Sequence, residues 1–491
     1  MQINDMLSTS YASLALCILT LAICSFLHFN ISKRTKSNTT RNKLQHHKNG
    51  QAAHVPFFYI PPSTAKDSMP PFVDLYRILA NYKDSMDNII SSMVLSQEIA
   101  QRSEWDVFPE SDDNDDTTSK RNMLSSKLED RIKRTAELLE LDYFILQDML
   151  KSFRVTNGLP FAGDKERTAI MNPSEEKTPS YDSAMQVITH IVRDWSSEGS
   201  RSRDSLYHWS ILELMKHATK EMPVLVPGSG LARLAHDISV TGFKAEANEL
   251  SICMSAAAYR FLNGEISAKG FVHPFAFDGL INEVNSNDRY KTIEFPGTSD
   301  QFLDKLVREG DVKQGSLSYT IGDFVEIYAQ TAYKGQYGSV VTCFFIDTAT
   351  NIFEYLLVIR NTLKSGGVWI NVGPLQWHQN AKVHPSADEL KVIIESMGFQ
   401  IESWSVDKEA INYRHDDRDE AVRHTKYEGY RPLRFVATLL PSTKNSLVQE
   451  NVAEKIMRMR TRGVPNFQPF TSPSRTGRAS SVSHVTITEL S

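Results

Sequence analysis

The sequence predicts an α/β fold built on a doubly wound, mostly parallel sheet, and two observations carry that expectation. From Val224 onward, seven short β-rich runs alternate with helical stretches: Val224–Val226, Lys244–Asn248, Ser316–Ile321, Ser339–Ile346, Val368–Val372, Phe399–Val406 and Leu433–Leu439. The first run closes on a glycine turn, Pro227-Gly228-Ser-Gly230, and Glu249 stands 21 residues after Gly228 at the end of the second run. A strand, a glycine turn, a helix and a carboxylate in that order suit a nucleotide or nucleoside. The turn lets backbone approach the ligand closely, and the carboxylate accepts from ribose hydroxyls. The expectation over residues 222–441 is a seven-stranded Rossmann-like sheet.

The remaining segments follow in chain order. The chain has 491 residues, more than one ordinary domain needs. Residues 1–32 hold Tyr11–Ile31, a run of 21 residues without Asp, Glu, Lys or Arg. At roughly 1.5 Å per residue that run reaches across a bilayer core of about 30 Å. No Lys or Arg precedes it, whereas Lys33, Arg34, Lys36, Arg41, Lys43 and Lys48 follow. The expectation is a transmembrane helix that leaves the body on the cytosolic side; the alternative is a cytosolic protein with an unusual leader. A cleaved signal peptide would need basic residues before the run and a small-residue site after it, and neither is present.

Residues 33–69 are basic and read as a flexible linker. Residues 70–221 read as a helical region, with apolar residues at helical spacing from Pro71 to about Ser103 and from Leu124 to Phe153. Two further helices lie between Asp182 and Met215, split at Ser196–Ser200. The acidic stretch Glu110–Asp116 lacks the glycine and terminal glutamate of a calcium loop, so it reads as a solvated linker. Within the sheet domain, about 271–315 has little periodicity and reads as an insertion. Residues 442–491 are rich in Ser, Thr and Arg and read as a disordered tail.

Composition narrows the function. Apolar residues make up 41%, enough for a large core, and the formal net charge of -5 gives no nucleic-acid footprint. Of four cysteines, Cys17 and Cys24 lie in the apolar run, leaving Cys253 and Cys343 for the body. Neither a metal spacing nor a disulfide framework follows, and no metal is expected.

Two ligand classes compete for the glycine turn. A dinucleotide site wants a third glycine where this chain has Arg233. Gly322-Asp323-Phe324 follows a β run and offers a carboxylate and a ring to an adenine. Lys364-Ser-Gly366-Gly367 precedes the Val368 run as in methyltransferases. Each alone is an ordinary turn; in this order they favour S-adenosylmethionine as methyl donor.

The longer strings are more specific. Ile191-Val-Arg193-Asp-Trp195-Ser, Leu225–Ala235, Asn248-Glu249, Gly322-Asp-Phe324, Cys343-Phe-Phe-Ile-Asp347-Thr-Ala and Trp369-Ile-Asn-Val-Gly-Pro-Leu375 resemble carnosine N-methyltransferases, from about Pro71 to Leu440. That resemblance implies transfer of a methyl group from S-adenosylmethionine to the imidazole of carnosine, giving anserine, or of a related histidine dipeptide. It also implies a possible homodimer. Carried over residue by residue, Arg193 meets the donor's methionine carboxylate, Gly228 lines its methionyl end and Glu249 takes the ribose hydroxyls. Asp323 and Phe324 hold the adenine, and Cys343 lies under the donor. Asp347, His378 and Tyr430 match substrate residues, with Tyr413 a poorer match. His190 stands where the family commonly has glutamine among its donor-binding residues, and Ala232 replaces a usual glycine. An N-terminal anchor is not expected of the family.

The implied chemistry makes modest demands. A neutral imidazole already carries a lone pair at pH 7, so no strong base is required. What must be chosen is the nitrogen. A carboxylate that accepts the N–H of one nitrogen fixes the tautomer, aims the other lone pair and stabilises the growing positive charge. Asp347, after an apolar strand, is the candidate catalytic residue. The plainer alternatives are a helix cap for Asp347, polar surface for His378 and a core aromatic for Tyr430. Two other functions compete: a protein histidine N-methyltransferase using the same pocket, and a non-catalytic membrane-tethered scaffold.

Overall fold

Each of the seven predicted runs forms a strand, and their side chains show why. In the computed structural model these are β2 (Val224–Pro227), β3 (Lys244–Glu249), β6 (Ser316–Ile321), β7 (Tyr337–Cys343), β8 (Leu363–Gly373), β9 (Phe399–Val406) and β10 (Leu433–Leu439). All four residues of β2 are buried, because helices cover both faces of the sheet. Successive residues serve opposite faces. Val224 and Val226 join Ala245, Ala247, Tyr319, Val341 and Ile370 in one core. Leu225 joins Val340, Trp369 and Phe435 in the other.

The structure describes residues 54–59, 71–101, 115–156, 184–264, 269–276, 285–297, 300–310, 312–412, 429–441 and 451–461. Those from His54 onward fall in one compact unit.

Among the described residues the expected seven-stranded sheet is corrected to eight strands, in the order β1-β6-β3-β2-β7-β8-β10-β9. The added strand, β1 (Phe57–Tyr59), comes from the segment read as a linker and pairs in parallel with β6. Three residues are too few to show alternation, but Phe57 stacks on Tyr319 at 4.5 Å and the Val55 main chain is held by the Asn263 side chain. The sheet is mixed: β10 runs antiparallel to both β8 and β9.

The transmembrane helix is also corrected. Among the described residues no helix is long and apolar enough to cross a membrane. Tyr11–Ile31 itself lies outside the described residues.

The helical region contains α1 (Pro71–Gln101), α2 (Asp115–Thr156) and α3 (Ala184–Trp195). A further helix follows in three parts: α4 (Ser200–Arg203), a π-helical turn (Asp204–His208) and α5 (Trp209–His217). Leu79, Leu139 and Leu146 from α1 and α2 and Ile188 and Ile191 from α3 share the core that covers one sheet face. Next come α6 (Arg233–Val240), whose start is left-handed at Ala232, and α7 (Ile252–Asn263), capped by the Ser251 hydroxyl.

The insertion forms a separate antiparallel ribbon of β4 (Gly270–Val272) and β5 (Ile293–Phe295), followed by α8 (Gln301–Glu309). It is fastened to α2 where the Asp142 carboxylate accepts from the His273 main-chain N–H and lies 3.0 Å from its ring. The second face carries α9 (Phe324–Tyr328), α10 (Ile352–Thr362) and α11 (Ala387–Ser396). Glu389 completes a capping box with Ser386 at the start of α11. The region expected to be a disordered tail contains α12 (Val452–Thr461), which buries Ile456 and pairs Arg460 with the buried Glu354 at 2.6 Å.

Candidate active site

The order of strands reverses between β2 and β7, so the chain leaves the C-terminal ends of neighbouring strands in opposite directions and opens a crevice there. Register brings those ends level: Pro227 lies beside Asn248, Glu249 beside Ile321 and Cys343 beside Val372. Gly228, Glu249, Asp323, Cys343 and Asp347 therefore gather along one edge of the sheet.

On the β2 side the glycine turn is tight. Gly228 and Gly230 have φ of 62° and 53°, the left-handed region that favours glycine. A Cβ at Gly228 would strike the Phe345 ring, and one at Gly230 would lie 2.9 Å from His190 Nδ1. The turn is a cradle that side chains would fill. Glu249 is tied to it: one carboxylate oxygen accepts from Gly230 N–H at 2.9 Å, the other from Leu250 and Ser251 N–H at 2.9 Å each. Burial pushes its carboxyl up, against the pull of these donors. Tyr319, buried beneath, donates to the Gly230 carbonyl at 2.8 Å.

Asp323 caps α9, accepting from Glu326 N–H at 2.8 Å. Phe324 is buried edge-on to Phe345 and Tyr355, with centroids at 5.2 and 5.4 Å.

The β7 side is built differently. The expected strand Ser339–Ile346 stops at Cys343, because Phe344 turns left-handed with φ 52°. A phenylalanine there costs on the order of 1–3 kcal/mol. The close approach of Gly373 makes room for it: a Cβ on Gly373 would lie 2.9 Å from the Phe344 nitrogen. The bend sends Phe345 toward Gly228 and sets Phe344 against Tyr430, centroids 6.2 Å apart. Asp347 follows in a short 3-10 turn, buried, its carboxylate accepting from Gln376 N–H at 3.1 Å. Burial pushes its carboxyl up to about 7.

His378 is brought to Asp347 through the main chain: its N–H donates to the Asp347 carbonyl at 3.2 Å, while the residue is exposed. Tyr430 is half-buried and pairs with Ile411 in an antiparallel bridge. Tyr413 lies outside the described residues. Burial pushes the Cys343 thiol up to about 12, so it stays protonated at neutral pH and packs rather than reacts.

Arg193 enters from α3. Its guanidinium grips Asp194 at 2.7 and 3.1 Å and donates to His190 Nδ1 at 3.0 Å. Arginine can only donate, so Nδ1 accepts and His190 is neutral. Burial, helped by Arg193, lowers its pKa to about 3. Burial works against the Asp194 carboxylate, but Arg193 together with the Tyr207 hydroxyl and His190 outweighs it and holds Asp194 below the usual range.

Several positioning residues escape a sequence reading. Asp194 and Tyr207, whose hydroxyl donates to Asp194 at 2.7 Å, hold Arg193 in place. Tyr319 braces the glycine turn, and Phe344 and Phe345 shape the bend. The aromatic pair lies inside the Cys343–Ala349 string, yet adjacent phenylalanines read as core. Tyr207 and Tyr319 carry no motif, because only packing brings them to the site. Away from the crevice, the ligand atoms of Asp204, His208 and Asp300 lie within 4.8 Å of one another, with His208 and Asp300 paired at 2.8 Å.

The family model for carnosine N-methyltransferase matches residues 171–436. The carnosine N-methyltransferase of Rattus norvegicus is 32% identical over 263 residues, 50% of this chain and 61% of that protein. The carnosine N-methyltransferase of Schizosaccharomyces pombe is 31% identical over 287 residues, 54% of this chain and 74% of that protein.

Proposed function

Starting from the fact that this chain belongs to the carnosine N-methyltransferase family, we propose that it transfers a methyl group from S-adenosylmethionine to an imidazole nitrogen of carnosine or a related histidine dipeptide, giving anserine from carnosine. The observation that carries the reading is Asp347, a buried carboxyl raised to about 7 by burial, in the bend that closes β7.

The site suits the donor. The left-handed glycines leave a cradle that a Cβ would close, and Glu249 is fastened to the cradle's main chain. In this proposal Gly228 lines the methionyl end, Arg193 and His190 face its carboxylate, Glu249 the ribose, Asp323 and Phe324 the adenine, and Cys343 lies beneath. The bound donor supplies an electrophilic methyl on a sulfonium.

The protein's own task is to present the acceptor. A carboxylate at Asp347 accepts the N–H of one imidazole nitrogen, which leaves the lone pair of the other on the line of attack. As the new N–C bond forms and the S–C bond breaks, positive charge spreads over the ring. The carboxylate stabilises it and can then take the remaining N–H proton. A buried, desolvated carboxylate interacts with that charge more strongly than one in water. His378 and Tyr430 orient the rest of the dipeptide.

The decisive measurement gives the full chain S-adenosylmethionine and carnosine and follows mass and imidazole proton resonances. A gain of one methyl on a single ring nitrogen is expected. Donor binding without methylation of any histidine dipeptide would remove the substrate assignment, and a methylated protein histidine would redirect it.

A further inference from the structure

Arg434 sits on β10, two residues into the strand that follows Tyr430, and no step above uses it. Nε and Nη2 donate to the two carboxylate oxygens of Asp407 at 2.7 Å each, Nη1 donates to the Ser205 carbonyl at 2.9 Å, and Nη2 also reaches the Ser205 hydroxyl at 2.9 Å. The guanidinium lies 5.1 Å from the Trp209 ring. All three nitrogens are used at once, a fork that lysine cannot reproduce.

Its partners join two parts of the site. Asp407 belongs to the hairpin that carries Tyr430: its N–H donates to the Pro432 carbonyl, and Ile411 and Tyr430 exchange main-chain bonds of 2.8 and 2.9 Å. Ser205 belongs to the π turn, a local widening of the helix of the kind often found at functional sites. Two residues on, Tyr207 donates to Asp194, which grips Arg193. Two more bonds run alongside: Ser202 Oγ donates to the Asn412 carbonyl at 2.7 Å, and Arg203 Nη1 to the Arg193 carbonyl at 2.5 Å. The path runs from Asp407 through Arg434 to Ser205 by hydrogen bonds, along the main chain of the π turn to Tyr207, and by hydrogen bonds again through Asp194 to Arg193.

We propose that Arg434 is a positioning residue that holds the Tyr430 hairpin and the Arg193 helix in one register, so that donor affinity depends on a clamp located on the acceptor side. Assigning Arg193 to the donor and Tyr430 to the acceptor rests on the functional reading above. The Cys343 thiol, between the two halves, feels the charges of Arg193 and Arg434 together with that of Asp347. Reciprocity requires that whatever the hairpin does to donor binding, the donor does to the hairpin.

The test measures S-adenosylmethionine Kd by calorimetry for the full-length wild type, R434K, R434Q, D407N and S205A, with Tm recorded for each. The expected result is a rise in Kd of about tenfold for R434K, R434Q and D407N alike, the order given by losing a charge-assisted hydrogen bond. S205A should give about threefold, since the carbonyl bond survives. A Kd unchanged in D407N and S205A with folding intact overturns the proposal, as does full rescue by R434K, which would reduce Arg434 to a source of positive field. Carnosine turnover by the wild type is followed in parallel. Its absence sinks the functional reading, while the Kd series still judges the clamp.

Discussion

Two acids in one crevice are both pushed up by burial, yet the main chain holds them differently. Glu249, at the end of β3, spends its oxygens on three main-chain N–H groups drawn from the glycine turn and its own loop. Asp347, beyond β7, accepts from Gln376 N–H and is buried enough that its carboxyl rises to about 7. Glu249 is fixed in place before any ligand arrives, and its half of the site is braced by Tyr319 below and by the Asp323 cap beside it. Asp347 follows a strained phenylalanine at φ 52° and would gain most from a donor that brings an N–H and a growing positive charge. In the proposed function, the Glu249 half of the crevice binds the donor and the Asp347 half presents the acceptor.

The contrast breaks most sharply if Asp347 can be spared. D347N keeps an oxygen for Gln376 N–H but loses the charge that selects the tautomer and steadies the imidazolium. Turnover should fall by about a thousandfold or more, by analogy with loss of a tautomer-fixing aspartate, while S-adenosylmethionine Kd moves less than about threefold. Full activity in D347N would abolish the assignment.

The converse change is G228A. A Cβ there meets the Phe345 ring in a left-handed backbone, so about 1–3 kcal/mol should be lost. The loss should appear as weaker donor binding by calorimetry, with carnosine KM nearly unchanged. A change confined to carnosine KM would mean that the two halves were drawn in the wrong place.

A third experiment sharpens the comparison through pH. An acid whose folded pKa lies above its unfolded value binds more protons folded than unfolded between the two values. Stability therefore falls as pH rises from about 4 to about 7. The Tm of D347N minus that of the wild type should grow between pH 5 and pH 8. A flat difference would show that Asp347 ionises as an ordinary carboxyl.

The smallest effect is expected at His190, which burial and Arg193 lower to about 3. A histidine held neutral costs stability as pH falls through its unfolded value near 6.5. H190Q, which keeps an acceptor for Arg193, should gain under about 1 kcal/mol over the wild type at pH 6 and nothing at pH 8. A loss at both would mean that the imidazole does more than accept.

Where periodicity or a motif spans several residues, the sequence could be read. Seven strands, the two helices split at Ser196–Ser200 and the glycine turn each repeat a local rule that burial on both sheet faces enforces. Short or solitary elements could not. The three residues of β1 hold by stacking Phe57 on Tyr319, far away in sequence. Helix α12 holds by burying Ile456 and pairing Arg460 with Glu354, in a stretch whose composition reads as tail. Strand β7 ends three residues early because Gly373 of the neighbouring strand admits the bend at Phe344, and no feature of the β7 sequence announces it.

By itself the chain determined an α/β pattern with seven of the eight strands, the glycine turn and the string that holds Asp347, because hydrophobic period, glycine placement and contiguous motifs are local properties. Only the folded protein decided which buried carboxylate is tied by three main-chain donors and which accepts from Gln376 N–H, and which distant tyrosines and arginines hold the two halves together. Burial and hydrogen-bond partners are properties of neighbours in space, and the order of residues along a chain does not name those neighbours.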